Sequence, residues 1–217
     1  MYTHIMKEIN TSNFTFSDQA KKLPEIIIID TRFVYIIGLW KADKCSTAKG
    51  IVGIRNKNGK LLTYFKNFIE ELGLQAKIRE IKGYGITKEV YVCSMPLRRI
   101  FEYISEHRLE ILNEDLIPSY FAGLIDGDGT IIRDKRKEIL RIFYSKKEEK
   151  DIQIDKKLLE KIGVTSKITM CSTRNLMILT VREMRKFGEL LLPFILTERK
   201  LQKLKLITQL NETIELG

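Results

Sequence analysis

The sequence predicts an α+β protein made of two related halves that meet along a central pair of apolar helices. Three observations predict it. The order α-β-β-α-β-β-α can be followed twice after residue 30. The helices that open the two passes align without a gap, "IIGLWKADK" (36–44) over "FAGLIDGDG" (121–129). In both, small residues stand four apart, Gly38 with Ala42 and Gly123 with Gly127, a spacing that puts them on one helical face.

Residues 1–30 read as an N-terminal extension, polar and weakly patterned up to Pro24, with "PEIIIID" (24–30) expected as a short strand or packed arm. The first half, 31–112, opens with the apolar helix "TRFVYIIGLWKAD" (31–43) and the β-branched run "KGIVGIRNKNG" (49–59). "KLLTYFKNFIEELG" (60–73) carries apolar residues at helical period and stops at Gly73. "QAKIREIKGYGITKEVYVCS" (75–94) alternates around Gly83 and Gly85 as a hairpin. "MPLRRIFEYISEHRLEIL" (95–112) is an amphipathic helix with Pro96 in its first turn. The second half, 113–217, repeats the order. Helix "IPSYFAGLIDGDG" (117–129) is followed by hairpin "TIIRDKRKEILRIFYS" (130–145), a helix over 148–163 and a hairpin over 164–181. Helices over 182–196 and 198–214 close the chain, the last read as a packing helix whose basic side faces solvent.

Composition narrows the function. The formal net charge is +10, which favours polyanionic partners, nucleic acid first among them, over a merely solvated lysine-rich surface. No apolar run approaches the roughly 20 residues of a membrane span, and the N-terminus lacks the apolar core of a signal peptide. Cys45, Cys93 and Cys171 are widely spaced with no CxxC pair. Buried reduced thiols in a cytoplasmic or other reducing intracellular compartment are therefore expected, and zinc is not.

The four-residue spacing explains why a greasy helix tolerates glycine. Two small-residue faces let backbones approach closer than leucine permits, and the acids that follow, Asp43 and Asp128, would then meet at one point. Two carboxylates on a basic protein suit Mg²⁺, which takes oxygen ligands and shares phosphate oxygens with its substrate. A helix C-cap and turn is the alternative reading of "GLIDGDG", but two copies in one register favour the site.

"FAGLIDGDG" resembles the signature of the LAGLIDADG homing endonucleases, differing at its first and seventh positions, and "IIGLWKADK" resembles a degenerate first copy. The resemblance implies the monomeric two-motif form, an intron-encoded type of enzyme. It implies a curved four-stranded antiparallel sheet from each half in the major groove of double-stranded DNA. It also implies a double-strand break supported by Mg²⁺ or Mn²⁺ at a long target site. Asp43 and Asp128 fall at the metal-binding positions, with the carbonyls of Ala42 and Gly127 completing the site. The ends of the second strands, "RNK" and "YSK", offer Asn56, Lys57, Ser145 and Lys146 as accessory catalytic residues. After the fourth strands stand Met95 and Arg182. Lys41 replaces an acid and Lys44 a glycine, so Lys41 is expected to weaken cation binding. Strand alternation then nominates Arg55, Lys77, Arg79 and Lys88 in the first half as DNA-binding residues. Arg133, Arg136, Arg141, Lys167 and Arg174 are their counterparts in the second, with Tyr84, Tyr91, Lys135, Tyr144 and Thr169 beside them. Competing readings are a decayed DNA-binding regulator and a maturase that binds intron RNA.

Overall fold

The computed structural model describes residues 7–14, 23–46, 48, 50–81, 87–134, 137–171 and 175–209. The N-terminal residues form a two-stranded antiparallel sheet, β1 (Lys7–Asn10) against β2 (Ile26–Ile29), that buries Ile9, Ile27 and Ile29. β1 lies in the stretch that sequence patterning left unassigned. Helix α1 (Thr31–Asp43) follows, its N-terminus capped by the Asp30 carboxylate, which accepts from Phe33 N at 2.7 Å.

The first half continues with β3 (Ile51–Asn56), α2 (Gly59–Glu71), β4 (Lys77–Ile81), β5 (Thr87–Cys93), α3 (Met95–Glu106) and α4 (Arg108–Ile111). The helix expected over 95–112 is thus two helices, broken at His107, whose ring nitrogen meets the Tyr103 carbonyl. The second half runs α5 (Ile117–Asp128), β6 (Thr130–Asp134), β7 (Lys137–Ser145), α6 (Glu149–Lys161), β8 (Ser166–Cys171), β9 (Leu176–Val181), α7 (Met184–Leu191) and α8 (Glu198–Gln209).

The two sheets are unequal. The second has four strands in the order β6-β7-β9-β8, as expected; among the described residues the first has three, β3-β5-β4. Where a fourth strand would stand, the chain makes a single bridge from Lys44 to Ile54. The sequence explains the loss. There Ser46 Oγ accepts from Ala48 N at 3.0 Å and Ile51 N returns to Ala48 O. That local turn, with Gly50 at φ 79°, competes with strand pairing.

Each sheet turns one face to its helices. Val52, Ile54, Val90 and Val92 are buried in the first sheet; Leu140, Ile142, Tyr144, Leu179 and Val181 are buried in the second. Between the halves, α1 and α5 cross at their glycines. A Cβ on Gly38 would overlap the Tyr120 carbonyl oxygen and stand 2.9 Å from Leu124 N. A Cβ on Gly123 would overlap the Tyr35 carbonyl and stand 2.8 Å from Leu39 N. Each glycine thus meets the same backbone groups on the opposite helix, a pseudo-twofold relation. The three cysteines form no disulfide, but contrary to expectation none is fully buried, and Cys93 is exposed.

Candidate functional site

The helix crossing fixes where the two acids stand. One turn beyond the glycines, a Cβ on Gly127 would overlap that of Ala42 and lie 3.2 Å from Asp43 Oδ2, so the motif ends are pressed together. Asp43 is half-buried, and its Oδ2 accepts from Asn56 Nδ2 at 2.5 Å. Burial pushes the Asp43 carboxyl up to about 7; the Asn56 hydrogen bond opposes that rise, and the field of Asp128 adds to it. Asp128 reaches solvent, yet loss of hydration also raises its carboxyl, with Lys200 opposing and Glu148 reinforcing the shift. Asn56 is thereby brought to the acid pair. Ser145 is turned elsewhere, its N and Oγ both bonding Glu148 Oε2 at 2.8 and 2.9 Å. Lys57 is exposed just past β3, and Lys146 opens the 3-10 turn after β7. Met95 opens α3, and Arg182 is exposed beyond β9.

Two features differ from expectation. Lys200, assigned by sequence to a solvent-facing side of α8, is buried, and its Nζ donates to the carbonyls of Ile125 and Asp126, the latter at 2.9 Å. The readable signal was its place one turn before the fully buried Leu204. Lys41 does not lie free beside the acids, since its Nζ pairs with Asp151 Oδ1 at 2.7 Å. Asp151 in turn accepts from Arg108 at 2.8 Å, and Arg108, fully buried, donates to Asp155 at 2.6 Å. The hydroxyls of Tyr120 and Tyr144 complete that network on Asp155, at 3.1 and 2.7 Å. Asp126, at the motif position equivalent to Lys41, is buried and accepts from Tyr35 OH and Leu196 N, each at 2.7 Å. Beside Asp128 a cavity of about 190 Å³ is lined by Lys41, Ala42, Lys44, Leu124, Asp128, Phe143, Tyr144 and Glu148.

The family model of a LAGLIDADG-like domain matches residues 115–191. Solved structures of I-DmoI match along most of both chains. With DNA and Mn, that protein gives a TM-score of 0.58 at 22% identity, over 77% of this chain and 98% of the other. With DNA and Ca the values are 0.62 at 21%, over 81% and 97%. The chain has the LAGLIDADG fold. Full-length DUF199/WhiA from Thermatoga maritima shares it, with a TM-score of 0.55 at 17% identity over 93% of this chain and 71% of that one. No curated protein sequence matches the chain.

In LAGLIDADG terms the outer faces of the two sheets are the candidate nucleic-acid interface. On the first, Arg55, Arg79 and Lys77 share a face with Glu89 and Tyr91, by the pairings Arg55↔Glu89, Arg79↔Glu89 and Lys77↔Tyr91. Arg55 Nε donates to Glu89 at 2.6 Å, and Arg79 Nε bonds its other oxygen. Glu89 is fully buried beneath them. Burial alone would raise its carboxyl, but the two guanidinium hydrogen bonds hold it below its ordinary value. Lys88 departs from expectation: one residue from Glu89, it alternates to the opposite face and pairs with Glu80 at 3.2 Å. Tyr144 likewise faces the core rather than the outer face. On the second sheet Arg141 and Lys167 both flank Thr180, and Phe143 on the same face is exposed. Arg133 lies in β6 opposite Glu138. Tyr84, Lys135, Arg136 and Arg174 lie outside the described residues.

Among the described residues no three or more His, Cys, Asp or Glu side chains converge as a metal cluster, and no helix is long and apolar enough to cross a membrane.

Proposed function

We propose that the protein is a site-specific DNA endonuclease of the homing type, acting as a monomer of two halves divided near residue 112. The observation that carries the reading is the packing of the two motif ends, Gly127 against Ala42 and Asp43, with the field of Asp128 reaching Asp43. Two carboxylates held together in a partly dehydrated place repel one another, and Asp43 retains its proton up to about pH 7. A binding surface has no use for that arrangement, and a divalent ion relieves it. Mg²⁺ or Mn²⁺ fits a site of few protein ligands, because such ions keep waters and share substrate phosphate oxygens. Asp43, Asp128 and the carbonyls of Ala42 and Gly127 would hold the ions. Bound there, they would supply Lewis acidity and a more acidic water. The chain's own part is positional. Asn56 orients the Asp43 carboxylate. Lys44 lines the cavity that Asp128 borders and would meet phosphate there. Lys57 and Lys146 at the strand ends would do the same, and the glycine crossing sets how closely the motif ends pack. Arg55, Lys77, Arg79, Arg141 and Lys167, with Arg133, Arg136 and Arg174, would meet the DNA backbone and base edges. The solved I-DmoI complexes contain DNA with Mn or Ca, which supports both the substrate and the kind of ion.

Lys41 favours a second reading, a LAGLIDADG-fold DNA binder without cleavage, since it stands where the family carries an acid. The likeness to DUF199/WhiA shows that the fold is not confined to chains described as endonucleases. Incubation with a randomised target library and Mg²⁺ separates the two. Cleavage that Asp43→Asn and Asp128→Asn each abolish, with DNA binding retained, is the expected result. Tight binding of a defined site with no cutting under Mg²⁺ or Mn²⁺ would leave the binder.

A further inference from the structure

Glu89 has no role in the reading above, yet it puts an acid in the middle of a face that would meet a polyanion. Glutamate is almost never fully buried unless paired. The Glu89 side chain is 0% exposed, while those of Arg55 and Arg79 are 46% and 52% exposed. It lies on β5, the central strand of the first sheet, directly across from Arg55 on one side and Arg79 on the other. Pairing on both edges fixes its backbone, and side chains directly opposed across strands are close enough to interact. Its Oε1 accepts from Arg55 Nε at 2.6 Å, with Arg55 Nη2 at 2.5 Å, and its Oε2 accepts from Arg79 Nε. The Arg79 guanidinium also lies 5.3 Å from the centre of the Tyr91 ring. Tyr91 is itself pressed on Gly53, where a Cβ would overlap that of Tyr91.

Stability alone does not account for this layout. Exposed ion pairs contribute little, burying a carboxylate costs it its hydration, and the acid removes one positive charge from a surface that would attract phosphate. What Glu89 supplies is direction. Arginine carries five N–H donors in a planar fork. Glu89 takes Arg79 through Nε, so the terminal Nη1 and Nη2 remain for a ligand, and a fork of that kind meets guanine O6 and N7 together. The second sheet shows the contrast. Arg141 and Lys167 flank its central strand in the same way, but the residue between them is the neutral Thr180.

We propose that Glu89 is a positioning residue that holds Arg79 as a fixed fork for guanine in the major groove, with Arg55 braced against its other oxygen. The proposal rests on the reading of the outer sheet face as the DNA interface, and not on the acid pair or on cleavage. A fork held in place beforehand loses less freedom when it binds. The acid thus gives up some general attraction to DNA in exchange for discrimination between bases.

The test reads base preference through binding alone, by selecting bound duplexes from a randomised pool in Ca²⁺. In the wild type at least one position is expected to favour guanine. Arg79→Lys keeps the charge and loses the fork, and is expected to reduce that preference roughly 5–100-fold. Glu89→Gln keeps the shape and releases both guanidinium groups. It is expected to weaken the same preference roughly fivefold or more, while binding random-sequence duplex at low salt at least as tightly as the wild type. A merely structural acid would instead weaken binding to every duplex alike. Glu89→Asp, which keeps the charge and draws the carboxylate back by one methylene, carries the same expectation should melting show that Glu89→Gln does not fold. A guanine preference untouched by either Glu89 variant, a uniform loss across sequences, or a wild type with no guanine position that depends on Arg79 overturns the proposal. Cleavage is not read, so a protein that binds in this pattern and cuts nothing sinks the nuclease reading and leaves this one standing. One that cuts a target without dependence on Glu89 does the reverse, and retention of no duplex at low salt overturns both.

Discussion

Gly123→Ala adds one methyl group at the point where the two halves meet. The added Cβ would overlap the Tyr35 carbonyl oxygen and sit 2.8 Å from Leu39 N. Both are main-chain atoms of a helix, so neither can rotate aside. Comfortable contact needs about 3.5 Å or more, which forces α1 and α5 apart by about 1 Å. Overpacking of a tight interface costs roughly 1–3 kcal/mol, and here the shift spreads along both helices. The clash here is with main-chain atoms on both sides, so the upper half of that range applies; alanine returns about 1 kcal/mol in helix propensity over glycine, leaving a net loss of about 1–2 kcal/mol. The matching change Gly38→Ala meets the mirror-image groups, the Tyr120 carbonyl and Leu124 N, and should cost the same. Gly59→Ala is the control, because a Cβ there meets nothing within 4 Å at the start of α2; it should be neutral or mildly stabilising. Urea unfolding reads all three, and the double variant should lose less than the sum, since one insertion already parts the helices. Equal stability of Gly123→Ala and wild type, at an unchanged m-value, would refute the close-crossing argument.

Lys41→Asp moves the first motif toward the family pattern, yet it should destabilise. It replaces the 2.7 Å partner of Asp151 with a like charge. Removing one member of a buried pair costs about 3–5 kcal/mol. The Asp151 side chain is 33% exposed and retains Arg108, so about 1–3 kcal/mol is expected, recovered in part by Asp151→Asn, which removes the like-charge clash, and measured by denaturant unfolding. In EDTA, stability should fall as pH rises from 5 to 8. Asp43 holds its proton up to about pH 7 when folded, against an ordinary value of 3.8. The native state therefore binds more protons than the unfolded chain across that window. Glu89 and Asp151, held below their ordinary values, act with the opposite sign at lower pH. Thermal melts at the two pH values should differ less in Asp43→Asn, and an undiminished difference would assign the effect to other groups.

What was legible in the sequence was what is local or repeated. The bounds of α1 and α5 follow from apolar runs and caps within a few residues, and the close crossing of those helices follows from glycine spacing read twice. What escaped depends on partners far away in the chain. The fourth strand of the first sheet is replaced by a turn because Ser46 finds Ala48, a competition that element counting does not weigh. Lys88 fell on the wrong face because a one-residue offset reverses a strand, and its pairing with Asn56 and Glu80 is set by neighbours rather than by its own run. β1 was invisible since three of its four residues are polar, and its order comes from pairing with β2.

The buried charges share a different cause. Lys200 lies one turn before buried Leu204, Asp155 lies one turn from buried Ile152 and Leu159, and Arg108 lies three residues before buried Ile111. Each interrupts an apolar stripe at its own period, where a pattern reading counts it as an error of phase or assigns it to the polar face. A charge on such a stripe needs a buried partner. For Asp155 and Arg108 the partner is each other, an ion pair that joins α4 of the first half to α6 of the second. For Lys200 the partners are two carbonyls at the end of α5, and the carboxylate that acts on it most is Asp126, which closes the same corner of the fold. The stripe thus marks in advance which charges are tied to the interior, and the kind of partner separates the pair that joins the halves from the lysine that closes the end of α5.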